Sequence, residues 1–171
     1  MITDIVRELG HLTLGTRLKR LGERLQAQTE VLLAEAGIGL PASHCPLLAA
    51  LDRLGPLSVG ELAQAVGISQ PGISRMLENL QSDGLVASRR PAGDKRLRAI
   101  ELTKAGRELI ARSKRLAWPR VESAVADACG GAETGASGSL LAQLSALEEA
   151  LADAPLHVRA ERIPVRGRKY A

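Results

Sequence analysis

A chain of 171 residues with 45% hydrophobic and 25% charged side chains has the size of one domain and an ordinary globular composition. Its 23 Lys and Arg against 19 Asp and Glu leave a net charge of +4, which suits a polyanionic partner without specifying one. No apolar run is long enough to span a bilayer, and Asp4, Arg7 and Glu8 interrupt any N-terminal signal peptide, so a cytoplasmic location with no membrane partner is expected.

Residues 3–36 read as one long helix. Leu14, Leu18, Leu21, Leu25 and Leu32 form a near-heptad seam, with Arg17, Lys19, Arg20, Glu23 and Arg24 beside it. Gly10, Gly15 and Gly22 each cost a helix up to about 1 kcal/mol relative to Ala. Close approach of a second helix is the expected return, with room for a ligand as the alternative. The run 37–41 breaks the chain, and residues 44–54 form a short helix that Gly55 and Pro56 end.

The next segment, 58–103, is the most informative. Ser58, Val59, Gly60 and Glu61 have the form of a capping box, in which a hydroxyl and a carboxylate each take one of the unpaired N–H groups at a helix start. Leu62, Ala63 and Val66 give that helix a short apolar face, and Gly67 and Ile68 turn the chain. Ser69 then caps a second helix from about Gln70, in whose first turn Pro71 is tolerated because its missing N–H would be unpaired there. Ile73, Met76, Leu77 and Leu80 repeat at i, i+3, i+4 and i+7, one buried face.

Gln70, Gly72, Ser74, Arg75, Glu78 and Asn79 fall on the other faces, the small and polar ones at the N-terminal end. That is the distribution of a recognition helix, whose first turns enter the major groove. Gln and Arg read base edges, Gly72 and Ser74 allow close approach, and Arg75 fits a guanine. On the two helices alone, a solvated face of an ordinary helical hairpin is an equal reading.

The hairpin that follows tips the balance. Residues 85–90 and 97–102 alternate as two strands around Pro91, Ala92, Gly93 and Asp94, carrying Arg89, Arg90, Lys95, Arg96 and Arg98 against Asp94 as the one acid between Val86 and Arg98. A basic hairpin directly after a recognition helix can lie along phosphates and insert an arginine into the minor groove.

Thr103 is the expected cap of a long helix running toward Ala128, with Leu109, Ile110, Leu116, Ala117, Val121 and Val125 as its apolar positions. Pro119 should kink it one turn back. The run 130–138 is a Gly- and Ser-rich connector. Leu140, Leu144, Leu147 and Leu151 then repeat at 4, 3 and 4 on a final helix, and residues 157–171 form a basic tail read as a solvated end.

Together these elements resemble the multiple antibiotic resistance regulator (MarR) family. The likeness rests on the order helix, helix-turn-helix, an Asp94-Lys95-Arg96 wing, Leu102-Thr103, Gly106 and a long helix, and covers nearly all of the chain except its last fifteen or so residues. It implies a mainly α fold with a small β-hairpin wing (α+β): a winged helix-turn-helix lobe over 42–103 and helical dimerisation regions over 1–36 and 104–155, before a basic tail at 156–171. It also implies a homodimer that binds double-stranded DNA at a near-palindromic operator, represses transcription, and is released by a small-molecule or oxidant signal.

By position, Ser69, Gln70, Pro71, Gly72, Ser74 and Arg75 would face the major groove. Arg89, Arg90, Lys95, Arg96 and Arg98 would meet the backbone and minor groove, with Asp94 orienting Arg96. The seams Leu14, Leu18, Leu21, Leu140, Leu144, Leu147 and Leu151 would pair two copies. The family's effector pocket lies between dimerisation helices and winged lobe, which makes His11, Arg17, His44, Arg115 and Trp118 its polar or aromatic candidates. Each is also an ordinary surface or interface side chain.

Other classes find less support. Three scattered His, with no HxxxH, GxSxG or phosphate loop, offer an enzyme nothing to work with, and no cofactor or metal site is expected. Cys45 and Cys129 stand far apart and form no disulfide framework; core packing is the expected role of Cys45. With no Phe, one Trp and one Tyr, the core must be built from Leu, Ala, Val and Ile. The remaining rival is a winged-helix module that docks a protein through its wing arginines.

Overall fold

The first expected helix breaks at Gly10. In the computed structural model, which describes residues 2–89, 99–130 and 139–162, the segment read as one helix is α1 (Ile5–Glu8), a 3-10 turn (Gly10–Thr13) and α2 (Leu14–Glu35). Gly10 has φ +56°, a left-handed conformation that cannot continue a right-handed helix. The Thr13 hydroxyl donates to the Val6 carbonyl at 2.7 Å and closes the break. Neither Gly15 nor Gly22 meets any heavy atom within 4 Å of where a Cβ would stand, so the close approach expected of them does not occur within this chain.

The chain divides into two compact units, Met1–Glu122 and Ser123–Ala171. In the first, α2 ends in a Schellman motif. Gly37 is left-handed at φ +69°, its N–H reaches the Ala34 carbonyl at 2.9 Å, and the N–H of Ile38 reaches Leu33 at 2.9 Å. Leu33 and Ile38, joined by that bond, are both buried. A 3-10 turn (Ala42–His44) leads into α3 (Cys45–Leu54), and then come α4 (Val59–Val66) and α5 (Gln70–Ser82). The capping box forms as expected: Glu61 N–H donates to Ser58 Oγ at 3.2 Å, and Ser58 N–H to Glu61 Oε2 at 2.7 Å.

Strands β1 (Val86–Arg89) and β2 (Ala99–Leu102) pair antiparallel with Val86 opposite Leu102 and Ser88 opposite Ile100. Leu57, just before α4, adds a bridge to Ile100 through bonds of 3.0 and 2.7 Å, tying the hairpin's base to the helix-turn-helix. Helix α6 (Lys104–Leu116) starts at Thr103, whose hydroxyl accepts from Gly106 N–H at 3.0 Å. The core is aliphatic, as the composition requires: Leu33, Ile38 and Leu40 meet Leu47, Leu48 and Leu51 of α3, Leu62 of α4, Ile73, Leu77 and Leu80 of α5, the hairpin's Val86, Ile100 and Leu102, and Ile110 of α6. Trp118 packs against it from the side.

The long helix after Thr103 is interrupted at Ala117, within one turn before Pro119 as its missing N–H and ring predict, giving α6 and α7 (Trp118–Cys129). Pro119 then falls at the second residue of α7, inside a first turn where its missing N–H costs nothing.

In the second unit, Ser139 Oγ accepts from Ala142 N–H at 3.2 Å and starts α8 (Leu140–Asp153). A further helix, α9 (Leu156–Arg162), occupies the first part of the segment read as a solvated tail. Its Arg159 donates to the Ala154 carbonyl at 2.7 Å, just past the end of α8, and to that of Ala150, which also accepts from the Ala154 N–H. The fold class is thus mainly helical with one small antiparallel sheet.

Candidate nucleic-acid interface

Helix α5 is held from behind. Ile73 and Leu80 are fully buried and Leu77 nearly so, which fixes the helix's rotation and leaves Ser69, Gln70, Pro71, Ser74 and Arg75 exposed along its first two turns. Five of the six residues expected to face a groove therefore share one open face. Among the described residues, no acidic side chain pairs with Arg75, so its guanidinium is not committed elsewhere. Ser69 occupies the cap position of α5, but its side chain makes no capping bond.

Gly72 behaves differently from the expectation. A Cβ there would stand 2.7 Å from Ile68 Cγ2 and 3.4 Å from Ser69 Oγ, so this glycine lets the turn close on α5, and its small size is used inside the fold. The turn itself is made by Gly67, left-handed at φ +71°, with its N–H on the Ala63 carbonyl at 3.0 Å. At the far end of α5, Gly84 (φ +68°) and Leu85 close a second Schellman motif on Gln81 and Leu80. Both ends of the motif are set by glycines whose backbone other residues rarely adopt.

The hairpin follows from that end. Thr103 donates from its hydroxyl to the Gly84 carbonyl at 2.7 Å, and its N–H donates to Leu85 at 3.0 Å. Gly106 brings α6 against this corner so closely that a Cβ would lie 2.1 Å from the Leu85 carbonyl oxygen. Arg89 is exposed at the end of β1, 3.6 Å from Glu101 on the paired strand, a surface ion pair that holds little energy. Arg90, Asp94, Lys95, Arg96 and Arg98 lie outside the described residues.

Among the described residues, the five effector-pocket candidates sit in different surroundings. Arg17 lines an open groove of about 390 Å³ with Asp4, Arg7, Arg20, Leu21 and Arg24, and none of the other four lines it. His11 and Arg115 are exposed, while Trp118 is half-buried with Lys114 Nζ 6.0 Å from its ring centroid. His44 is buried; Ser43 Oγ is 3.3 Å from its Nδ1, and its Nε2 has no hydrogen-bond partner among the described residues. Burial pushes its pKa below the usual value of 6.5, against a smaller opposing pull from Asp83 at the end of α5. Burial likewise pushes the Cys45 thiol up, which disfavours the reactive thiolate and suits its place against the core.

Of the leucines expected at a dimer interface, Leu18, Leu21 and Leu151 are exposed, and Leu14, Leu140, Leu144 and Leu147 are half-buried. Among the described residues no three His, Cys, Asp or Glu side chains gather as metal ligands, and no helix is long and apolar enough to cross a membrane. The acid–base pair Asp4–Arg20 had no sequence signal, because sixteen residues and the break at Gly10 separate its members.

Comparison with known proteins places the geometry. Residues 38–97 match the model of the MarR family. An uncharacterised HTH-type transcriptional regulator of Bacillus subtilis, YdgJ, is 36% identical over 81 residues, 47% of this chain and 49% of that protein. The match thus spans about half the length of this curated relative. The transcriptional repressor CouR bound to a 23-mer DNA duplex is 29% identical, with a TM-score of 0.66 over 82% of this chain and 96% of its own. CouR bound to p-coumaroyl-CoA is 26% identical at a TM-score of 0.66, over 91% and 99%.

Proposed function

We propose that this chain, whose residues 38–97 match the MarR family model, is a DNA-binding transcriptional regulator of that family: a homodimeric repressor of a near-palindromic operator, released by a small molecule. One observation carries the reading: the first two turns of α5 present Ser69, Gln70, Pro71, Ser74 and Arg75 to solvent while Ile73, Leu77 and Leu80 anchor the helix from behind. A helix so held enters a major groove with its N-terminal side chains leading. Arg75 reads a guanine edge and Gln70 and Ser74 take neighbouring bases. Arg89 and the wing residues Arg90, Lys95, Arg96 and Arg98 neutralise phosphates and probe the minor groove, with Asp94 orienting Arg96.

Dimerisation is assigned to residues 1–36 and 104–155, through Leu14, Leu18 and Leu21 of α2 and Leu140, Leu144, Leu147 and Leu151 of α8. Leu18, Leu21 and Leu151 are exposed and the other four are only half-buried, which favours coverage by a second copy. A two-fold dimer of these lobes needs half-sites one helical turn apart, ~34 Å. A small molecule is favoured over an oxidant because Cys45 is driven toward its unreactive thiol, and the relative CouR binds p-coumaroyl-CoA. Footprinting on the promoter upstream of the protein's own gene tests the proposal. Two protected half-sites one turn apart, lost with Arg75→Ala, are expected; no protection at any concentration would leave a protein-docking module as the better reading.

A further inference from the structure

The arginine groove lies apart from both the recognition face and the crease beside the winged lobe. Helix α2 meets the lobe near its C-terminal end, where Glu30 accepts from the Ala42 N–H at 3.2 Å and Leu33 is buried. Arg17, Arg20, Leu21 and Arg24 lie six or more residues from Glu30 toward the other end, which at about 1.5 Å per residue is roughly 9–20 Å along the helix. There α1 folds back over α2, and Asp4 and Arg7 complete the lining.

Asp4 and Arg20 already show what the groove binds. The guanidinium donates from Nη1 and Nη2 to the two carboxylate oxygens at 3.2 and 2.8 Å, the paired geometry that guanidinium groups use for carboxylate and phosphate alike. Asp4 also caps α1 by accepting from the Arg7 N–H. The pair holds its carboxyl below the usual range, so the charge is permanent at neutral pH. Arg7, Arg17 and Arg24 pair with no acidic side chain among the described residues. Four guanidinium groups facing one carboxylate leave a surplus of three positive charges around a concave space of about 390 Å³. Leu21 alone supplies an apolar wall. A ligand here must be held by charge, which excludes a lipophilic acid and fits a compact anion with two or more charges.

We propose that the groove between α1 and the first half of α2 is a binding site for a small phosphorylated anion, gripped by Arg7, Arg17 and Arg24. The groove is separate from the operator-contacting face of α5 but borders the proposed dimer seam, since its apolar wall Leu21 is also a seam leucine. Because α1 has no buried residue and is held mainly by Asp4 and Thr13, an anion bridging Arg7 to Arg17 and Arg24 also staples α1 to α2.

Isothermal titration of the full chain with sodium pyrophosphate, at constant ionic strength, tests the site. Saturable binding is expected in the wild type and in Arg53→Gln, whose charge lies on α3 outside the groove, and at least tenfold weaker binding in Arg17→Gln/Arg24→Gln. Both substituted side chains are exposed, and circular dichroism checks that the fold is kept. Absence of saturable binding, or equal affinity in the double variant, overturns the proposal. So does a double variant that keeps pyrophosphate affinity while losing affinity for random duplex DNA, or losing its dimer in sedimentation. Operator binding measured on the same preparations separates failure of this site from failure of the regulator reading.

Discussion

Replacing Gly106 by Ala puts a methyl carbon 2.1 Å from the Leu85 carbonyl oxygen, 3.1 Å from its carbonyl carbon and 3.2 Å from Leu102 Cδ2. The nearest neighbour is backbone and cannot rotate away, so α6 and the entry to β1 must separate by more than about 1 Å to restore van der Waals contact. Thr103 bridges that same corner through its N–H to Leu85 at 3.0 Å and its hydroxyl to Gly84 at 2.7 Å. Overpacking costs about 1–3 kcal/mol and each strained hydrogen bond about 1 kcal/mol, so a loss near 3 kcal/mol is expected. With a urea dependence of about 1–3 kcal/mol per M, the midpoint should fall by about 1–3 M. Gly22→Ala is the control, since it lies in α2 with nothing within 4 Å of the new carbon. There the midpoint should hold or rise, by up to about 1 kcal/mol of stability. Urea unfolding followed by circular dichroism compares the two. Equal midpoints for Gly106→Ala and the wild type would refute the claim that α6 is locked to the base of the hairpin.

His44 predicts a pH dependence. Its pKa is lowered in the folded chain, so the unfolded chain binds the extra proton first as pH drops below about 6.5, and stability present at pH 7.5 is lost toward pH 5. In urea midpoints at the two pH values, His44→Leu should flatten that slope; an unchanged slope removes His44 as its source. Ser58→Ala removes one half of the capping box and should cost about 1 kcal/mol in the same assay, and no loss would mean the box contributes nothing. Leu144→Asp/Leu147→Asp should sediment as a monomer with the helical signal of the lobe intact, and an unchanged dimer would move the interface off α8.

The winged lobe was legible in the sequence because its signals are local. The capping box at Ser58, the left-handed turn at Gly67, the four-residue apolar repeat of α5 and the cap at Thr103 each state their structure within a few residues, and each forms. The errors come where the outcome depends on distant neighbours or on competing local terms. The leucine seam begins only at Leu14 and says nothing about residues before Gly10, where the backbone turns left-handed and the helix stops. Gly72 reads as space for DNA because its neighbours are polar, yet the space is filled by Ile68 from across the turn. The arginine groove needs Asp4 and Arg7 to fold back onto α2, which no periodicity announces.

The central claim, that the open face of α5 reads DNA sequence, is tested most directly by fluorescence anisotropy. A labelled duplex from the protein's own upstream region is compared with a scrambled duplex across a salt series. The wild type should prefer its own sequence, with log K falling steeply against log[salt]. Arg75→Ala should lose about 1–3 kcal/mol of that preference while keeping the salt slope, and Arg89→Ala should lower the slope and leave the preference. Equal binding of the two duplexes by the wild type, or a preference untouched by Arg75→Ala, would contradict the account.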